Sequence, residues 1–468
     1  MRENAMEKLQ TEIPQYAAKG LSVLEQSGEE AWLVGGCVRD VLRGEIPHDW
    51  DICTSASPEK TLKAFSAFHT IPTGIKHGTV TVIIDGNQVE VTTYRTDGEY
   101  TDHRRPDSVS FVSDIKSDLM RRDFTMNAIC MNKNGEIYDP FGGREDIKNG
   151  IIRCVGDPEK RFDEDALRIL RAIRFAAKTG FEIESETERA AFEMCGLLDN
   201  VSAERIYSEL KSMLIQPHIT DILLKYREII GQFIPELKPC FDFPQNTPHH
   251  CYDVWKHIAV SVGNIRADET LRTVMLFHDI GKPDMFYADS SGVAHFKKHP
   301  RRSAEYADKI LRRLKSDTVS RKLICGIISE HDNRISPDRK TVRRFISQYG
   351  YDFFYEWLEV RRADTLAQSE YLREEKLHEQ DVIREIGDEL RRQESCVSIG
   401  QLAIDGNDLV RLGFGGREIG QTLGRLLDGV IDERIPNERE KLLAAAVDNT
   451  ADEDDKEKNL NGGQSGNA

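Results

Sequence analysis

Asp49 and Asp51 flank Trp50 and run into Ile52. On an extended strand, side chains at i and i+2 share a face with Cα atoms roughly 6.6 Å apart. Two carboxylates so placed can converge on hard divalent cations. Mg²⁺ takes carboxylate oxygens together with substrate phosphates, and a pair of such ions activates an attacking hydroxyl and stabilises a leaving pyrophosphate. Glu90, inside the alternating run Val89 to Tyr94, offers a third carboxylate. A second constellation lies downstream. His278-Asp279 follows the apolar run Val274 to Phe277, His257 precedes it, and Asp364 sits in Arg362-Ala363-Asp364. Two imidazoles and two carboxylates suffice for one metal ion, and His299 and His331 could serve a second. His249, His250, His295 and His378 have no partner at telling spacing and read as surface residues. A bare Asp-x-Asp or His-Asp pair is weak evidence alone, since an exposed strand face or a structural ion pair has the same spelling.

The elements around these residues add weight. Trp32-Leu33-Val34 ends in Gly35-Gly36 and feeds Val38 to Leu42, a strand, a turn and a helix. Paired glycines there let phosphate approach backbone N–H groups at a helix N-terminus. Thr79 to Ile84 and Val89 to Tyr94 are β-branched runs around Asp85-Gly86-Asn87-Gln88, a hairpin signal. From about residue 162, apolar residues recur at helical spacing (Leu167, Leu170, Ile173, Ala177). Pro235, Pro239, Pro244 and Pro248 mark a linker, and helical text resumes from Asp253 to about 447. The expected organisation is a helical segment 1–30, an α/β head 31–150, a helical neck 151–235, a metal-binding helical domain 245–365, a helical tail 366–447 and a disordered acidic end 448–468.

Composition sets limits. No apolar run approaches a membrane span, Met1-Arg2-Glu3-Asn4 opens no secretory leader, and the nine cysteines lack paired spacing. A reducing, cytoplasmic setting without disulfides is the expectation. The net charge of −16 argues against a polyanion ligand, but residues 297–344 carry fifteen Lys/Arg against six Asp/Glu. A basic sector on an acidic chain can still hold nucleic acid.

Four ordered motifs carry a resemblance. The run 33–51 resembles the nucleotidyltransferase signature of the polymerase-β superfamily. More closely, Gly35-Gly36-Cys37-Val38-Arg39-Asp40, Arg121-Arg122-Asp123-Phe124-Thr125-Met126-Asn127-Ala128, Asp139-Pro140-Phe141-Gly142-Gly143 and Glu164-Asp165-Ala166-Leu167-Arg168 resemble the class II tRNA CCA-adding enzymes. The region 257–364 is similar to the HD phosphohydrolase superfamily. The implied fold is α+β, a polymerase-β-type head followed by an all-helical neck, HD domain and tail. The implied partners are tRNA, CTP and ATP, with no membrane. The implied cofactors are Mg²⁺ at Asp49 and Asp51, and a divalent transition metal or Mg²⁺ at His257, His278, Asp279 and Asp364. The resemblance further implies that Gly35, Gly36 and Arg39 meet the triphosphate, that Arg122 and Asp123 meet the ribose, and that Glu164 orients Arg168. Residues 94–106 resemble that family's flexible loop, and 402–443 its tRNA-holding tail.

Base selection has a physical reading. Asp165 and Arg168, at i and i+3 of an expected helix 164–175, share a face that Arg171 extends. Asp only accepts hydrogen bonds and Arg only donates. Cytosine and adenine each present an amino donor beside a ring-nitrogen acceptor, so one Asp–Arg pair satisfies both. Uracil and guanine place a carbonyl where the Asp needs a donor, at a cost on the order of 1–3 kcal/mol. The bland alternative is a surface ion pair worth under ~1 kcal/mol. An A-adding specialist or a poly(A) polymerase would share these motifs. From another class, the chain would be mainly an HD phosphohydrolase with an RNA-binding head.

Overall fold

The computed structural model describes residues 13–97 and 109–448. The expectations for residues 1–12, for 98–106 of the charged loop and for most of the acidic end lie outside these. The chain divides into two compact units. One comprises Met1–Asp242 with Ala267–Thr273 and Lys309–Thr318; the other comprises Phe243–Arg266, Val274–Asp308 and Val319–Ala468. The boundary at 242/243 falls inside the proline-rich stretch.

The first unit is built on a sheet. Helix α1 (Gln15–Gln26) lies within the helical segment expected for 1–30 and buries Ala17, Leu21 and Leu24. β1 (Ala31–Val34) turns through Gly35 into α2 (Gly36–Leu42), followed by β2 (Ile52–Thr54), α3 (Pro58–Ala64) and β3 (His69–Ile71). β4 (Thr79–Ile84) and β5 (Asn87–Thr93) form the expected hairpin, turning on Asp85 (φ 51°) and Gly86 (φ 84°). Two positive-φ residues are what such a tight turn requires. β6 (Arg95–Asp97) pairs with β7 (Val109–Phe111), and α4 (Ile115–Met120) follows. β8 (Cys130–Met131) and β9 (Ile137–Tyr138) complete a seven-stranded mixed sheet of order β3-β4-β5-β2-β1-β8-β9. After α5 (Gly143–Asn149) come α6 (Pro158–Glu164) and α7 (Leu167–Thr179), then α8 (Ser185–Glu193), α9 (Ala203–Leu214), α10 (Ile219–Lys225) and α11 (Arg227–Phe233). Leu167, Leu170, Ile173 and Ala177 are all buried, as their spacing predicts.

Helices dominate the second unit. Its elements include α12 (Val254–Asn264), α15 (Thr318–Glu330), α16 (Arg339–Tyr349), α17 (Tyr351–Leu366), α18 (Arg373–Arg392), α19 (Gly406–Arg411) and α20 (Arg417–Ile431); α13 (Glu269–Phe277) and α14 (His299–Arg313) run through residues of both units. Phe345, Phe354, Trp357, Leu358, Ile383 and Leu390 form one apolar cluster of α16 to α18. A separate cluster joins Leu409, Leu423, Leu426, Val430 and Leu442. The nine cysteines are free thiols, mostly buried. Among the described residues no helix is long and apolar enough to cross a membrane.

Candidate functional sites

Sheet register gathers the head's carboxylates. Ile52 of β2 pairs with Val91 of the parallel β5. One step earlier on each chain, Asp51 and Glu90 therefore stand side by side, facing away from the buried Ile52 and Val91. Asp49 and Asp51 precede β2 instead of lying within it, which corrects the strand placement; the Val34 N–H still donates to the Asp51 carbonyl at 3.1 Å. Burial, then repulsion from Asp49 and Glu90, pushes the Asp51 carboxyl up to about 6, while Arg122 acts the other way. A carboxylate so repelled fits a site that takes a cation. Asp49 and Glu90 are exposed, leaving oxygens open to solvent or substrate.

The glycine turn lies against this group. Gly35 has φ 78°, and a Cβ there would stand 3.2 Å from an Arg122 Nη1, so the turn needs glycine both for backbone conformation and for room. Arg39 is buried; it donates to Asp40 (2.8 Å) and to Asn127 Oδ1 (2.8 Å). Asn127 in turn donates to Asp123 Oδ1 at 3.1 Å, and Arg171 grips Asp123 Oδ2 through Nε (2.9 Å) and Nη2 (2.6 Å). Burial opposes ionisation, yet Arg171 and Asn127 bring the Asp123 carboxyl down to about 2. The third motif supports this strip from behind. Asp139 accepts from the N–H groups of Gly143 and Arg144 (2.9 Å each), and the absent Cβ of Gly143 would meet the Thr125 carbonyl oxygen at 2.1 Å.

The fourth motif departs from the expected continuous helix. α6 ends at Glu164 and α7 begins at Leu167; Asp165, with φ −147° and ψ 99°, sits in the break. Its Oδ1 accepts from the Leu167 N–H at 3.2 Å, the local capping that makes Asp a helix starter rather than a helix interior residue. Its Oδ2 is held by Arg205 of α9 at 2.7 Å, not by Arg168. Arg168 instead donates to Glu164 (2.6 Å), to the Arg161 carbonyl (3.0 Å) and to the Arg121 carbonyl (3.0 Å). Glu164 thus does hold the guanidinium, and the strip 121–123 joins the fourth motif to the residues around Asp51. Arg205 was invisible in the sequence because its partner lies forty residues away on another helix.

Among the described residues, two sets of His and Asp bring all their ligand atoms within 4.8 Å of one another, and both lie in the second unit: His257, His278, Asp279 and Asp364, and Asp279, His299 and His331. α12 presents His257, and α17 presents Asp364. His278 and Asp279 lie in the turn after α13, not on a helix as expected. His257 Nε2 is 2.8 Å from Asp364 Oδ1 and 3.2 Å from Asp279 Oδ2, and His278 Nε2 is 3.2 Å from the same Asp279 Oδ2. The other Asp279 oxygen, Oδ1, faces His299 (3.1 Å) and His331 (3.6 Å).

Orientation of the rings is set locally. His278, His299 and His331 each place Nδ1 at 2.7–2.8 Å from the carbonyl three residues earlier, and His257 Nδ1 is 3.3 Å from the Ala367 carbonyl. A carbonyl only accepts, so Nδ1 donates there and each Nε2 points inward toward Asp279. Two such pairs approach closely, His257–His278 at 3.3 Å and His299–His331 at 3.2 Å. Two inward nitrogens this close need a proton or a cation between them. Asp279 is buried with neither oxygen in a well-formed hydrogen bond, although the Lys282 ammonium is 2.6 Å from Oδ2. Burial disfavours a charged His278, but Asp279 and Asp364 raise it to about 10. Both groups have the donor chemistry of a divalent-cation site, and Asp279 is common to the two.

A cavity of about 260 Å³ opens on this cluster, lined among others by His249, His250, Lys282, His295, Arg334 and Lys376. Three histidines read as surface residues therefore line the pocket. Burial, then Lys282 and His257, holds His250 well below the ordinary imidazole range.

A glycine turn over a mixed sheet, with three acids gathered at one sheet end, defines a nucleotidyltransferase head of polymerase-β type. Comparison with known proteins agrees. Residues 31–153 match the family described as "Poly A polymerase head domain", 180–241 the one described as "Probable RNA and SrmB- binding site of polymerase A", and 298–446 a tRNA nucleotidyltransferase domain 2. A CCA-adding enzyme of Streptococcus thermophilus is 33% identical over 438 residues, 92% of this chain and 97% of the relative. The chain belongs to the CCA-adding enzyme family. A Lactobacillus helveticus member reaches 52% identity over 198 residues, but that match spans only 42% of this chain and 49% of the relative. The solved CCA-adding enzyme of Bacillus stearothermophilus, in complex with CTP, superposes with a TM-score of 0.73 at 29% identity, covering 94% of this chain and 98% of that one.

Proposed function

We propose that the protein adds C, C and A in turn to the 3′ end of tRNA, using CTP and ATP and no nucleic-acid template. The observation that carries this reading is the linked strip from Asp51 through Arg122 and Arg121 to Arg168 and Glu164, which connects the fourth motif to the carboxylate group. Asp49, Asp51 and Glu90 would hold Mg²⁺. When bound, the cation lowers the pKa of the tRNA 3′-hydroxyl and neutralises the departing pyrophosphate. The protein's own part is positioning and charge complementarity. Gly35 and Gly36 let the triphosphate approach backbone N–H groups, and Arg39, buried midway along α2, adds positive charge nearby. Arg122 and Asp123 orient the ribose, with Arg171 holding Asp123. Asp165 accepts from the amino group of cytosine or adenine, and Arg168 donates to the neighbouring ring nitrogen. Arg205 holds Asp165 for that task. The setting is cytoplasmic, where tRNA is matured.

The second unit carries an additional reading of its own, favoured by the convergence of four imidazole Nε2 atoms on the two oxygens of Asp279. His257, His278, Asp279 and Asp364 would hold one divalent transition metal, and Asp279, His299 and His331 a second. Bound metal would bring a water's pKa toward neutrality for hydrolysis of a phosphate ester. The basic lining of the cavity suits such a substrate.

End-labelled tRNA stopping at its discriminator base, incubated with CTP and ATP, tests the main reading. Extension by three nucleotides supports it. Extension only of a substrate already ending in CC would make the protein an A-adding specialist, and long A tracts on generic RNA a poly(A) polymerase.

A further inference from the structure

Asp118, on α4, has no place in the chemistry so far, yet it is completely buried, with a side-chain exposure of 1%. Its Oδ1 accepts from Arg121 through Nε (3.0 Å) and Nη2 (2.7 Å), and from the Arg95 N–H (3.3 Å). Its Oδ2 accepts from Arg122 Nη2 at 3.1 Å. Burial works to neutralise the carboxyl, but Arg122 and Arg121 more than offset it and hold it below the usual range. One ionised carboxylate is therefore shared by two consecutive guanidiniums at i+3 and i+4.

We propose that Asp118 is the positioning residue that keeps Arg122 and Arg168 in register for nucleotide recognition, without itself touching the nucleotide. Two connections make the argument. Arg122, gripped through Nη2, lies against Gly35 and close enough to Asp51 to lower its pKa. Arg121, gripped through Nε and Nη2, offers its main-chain carbonyl to Arg168 at 3.0 Å, while the adjacent Met120 carbonyl accepts from Arg161 at 3.1 Å. These last carbonyls of α4 are the unpaired acceptors that any helix C-terminus leaves. Their direction depends on where the 120–122 turn is pinned, and Asp118 pins it. A displacement of that turn moves the ribose contact and the base reader together. Pre-set donors lose effect quickly when misplaced.

The proposal rests on the assignment of Arg122 and Arg168 to nucleotide recognition, so the experiment separates the two. Asp118→Asn keeps the volume and removes the charge. Its KM for both CTP and ATP should rise about tenfold or more, with relaxed rejection of UTP and a smaller change in kcat, as expected when charged hydrogen bonds that orient a binding group are weakened. Melting temperature is measured alongside. If Asp118→Asn lowers the melting temperature but leaves KM and UTP rejection of the folded enzyme unchanged, Asp118 is merely structural and the proposal is overturned. Should that variant not fold, Arg121→Ala, which removes a partly exposed half of the clamp, decides by the same KM criterion. Arg168→Lys is the control. If it too leaves KM and base choice untouched, the recognition reading itself fails; if it alters them while Asp118→Asn does not, only the positioning role is lost.

Discussion

Protonation of Asp51 should govern how much Mg²⁺ the head requires. Its carboxyl stands at about 6 instead of 3.8, first through burial, then through Asp49 and Glu90. Only the ionised form ligates a cation. The ionised fraction is about 90% at pH 7 and about 10% at pH 5. The Mg²⁺ concentration giving half-maximal CMP transfer should therefore be nearly flat above pH 7 and climb about tenfold per unit below pH 6. Glu90→Gln, by removing one repelling charge, should move that inflection to lower pH. The same displacement fixes a stability sign. A native pKa raised above the unfolded value means that the folded state binds the proton more readily, so stability is greatest below about pH 4 and is lost as pH rises through about 6. The loss is at most about 3 kcal/mol, and less after solvent screening of this half-buried group. Asp51→Asn should thus abolish transfer yet raise the melting temperature at pH 7.5. Initial-rate Mg²⁺ titrations at four pH values and thermal melts of both variants provide the assay. A Mg²⁺ requirement independent of pH between 5 and 7, or a destabilised Asp51→Asn, would refute the carboxylate cluster.

Further expectations concern support and metal. Gly143→Ala puts a methyl 2.1 Å from the Thr125 carbonyl oxygen and should cost about 1–3 kcal/mol through overpacking; an unchanged melting temperature would contradict the close approach. Elemental analysis of protein loaded with a transition metal and desalted should find about two ions per chain, about one in His257→Ala or His299→Ala, and almost none in Asp279→Asn, because Asp279 alone faces both imidazole pairs. Equal loss in all three variants would show a single site. Nucleotide transfer should survive in each of these variants, since none of the three residues belongs to the head.

Much of this was legible residue by residue. The β4–β5 hairpin announced itself through Asp85-Gly86, and the buried stripe of α7 through its spacing. The two His-Asp groups were legible as types only because His257 and Asp364 accompany the His278-Asp279 pair, which alone reads as a structural ion pair. Helix continuity through 164–168 was not, because the periodicity of Leu167 to Ala177 extends smoothly backwards and hides the break that Asp165 makes by capping Leu167. The pocket role of His250 and His295 escaped for a different reason: their neighbours come from distant elements, and a pattern read along the chain sees only local spacing. Asp118 had a visible i+3, i+4 relation to two arginines, but that pattern is common on solvated helices. Only its burial separates a clamp from a surface pair.

Under the proposed function, amino-acid side chains, not a complementary strand, choose the incoming nucleotide. Competition between CTP, ATP and UTP at the growing tRNA end, measured for the native chain and for Asp165→Ala, tests it most directly. The native enzyme should reject UTP strongly, and that rejection should collapse by about ten- to a hundredfold in the variant, with its Mg²⁺ requirement unchanged. Undiminished rejection of UTP by a folded, active Asp165→Ala enzyme would contradict selection by side chains.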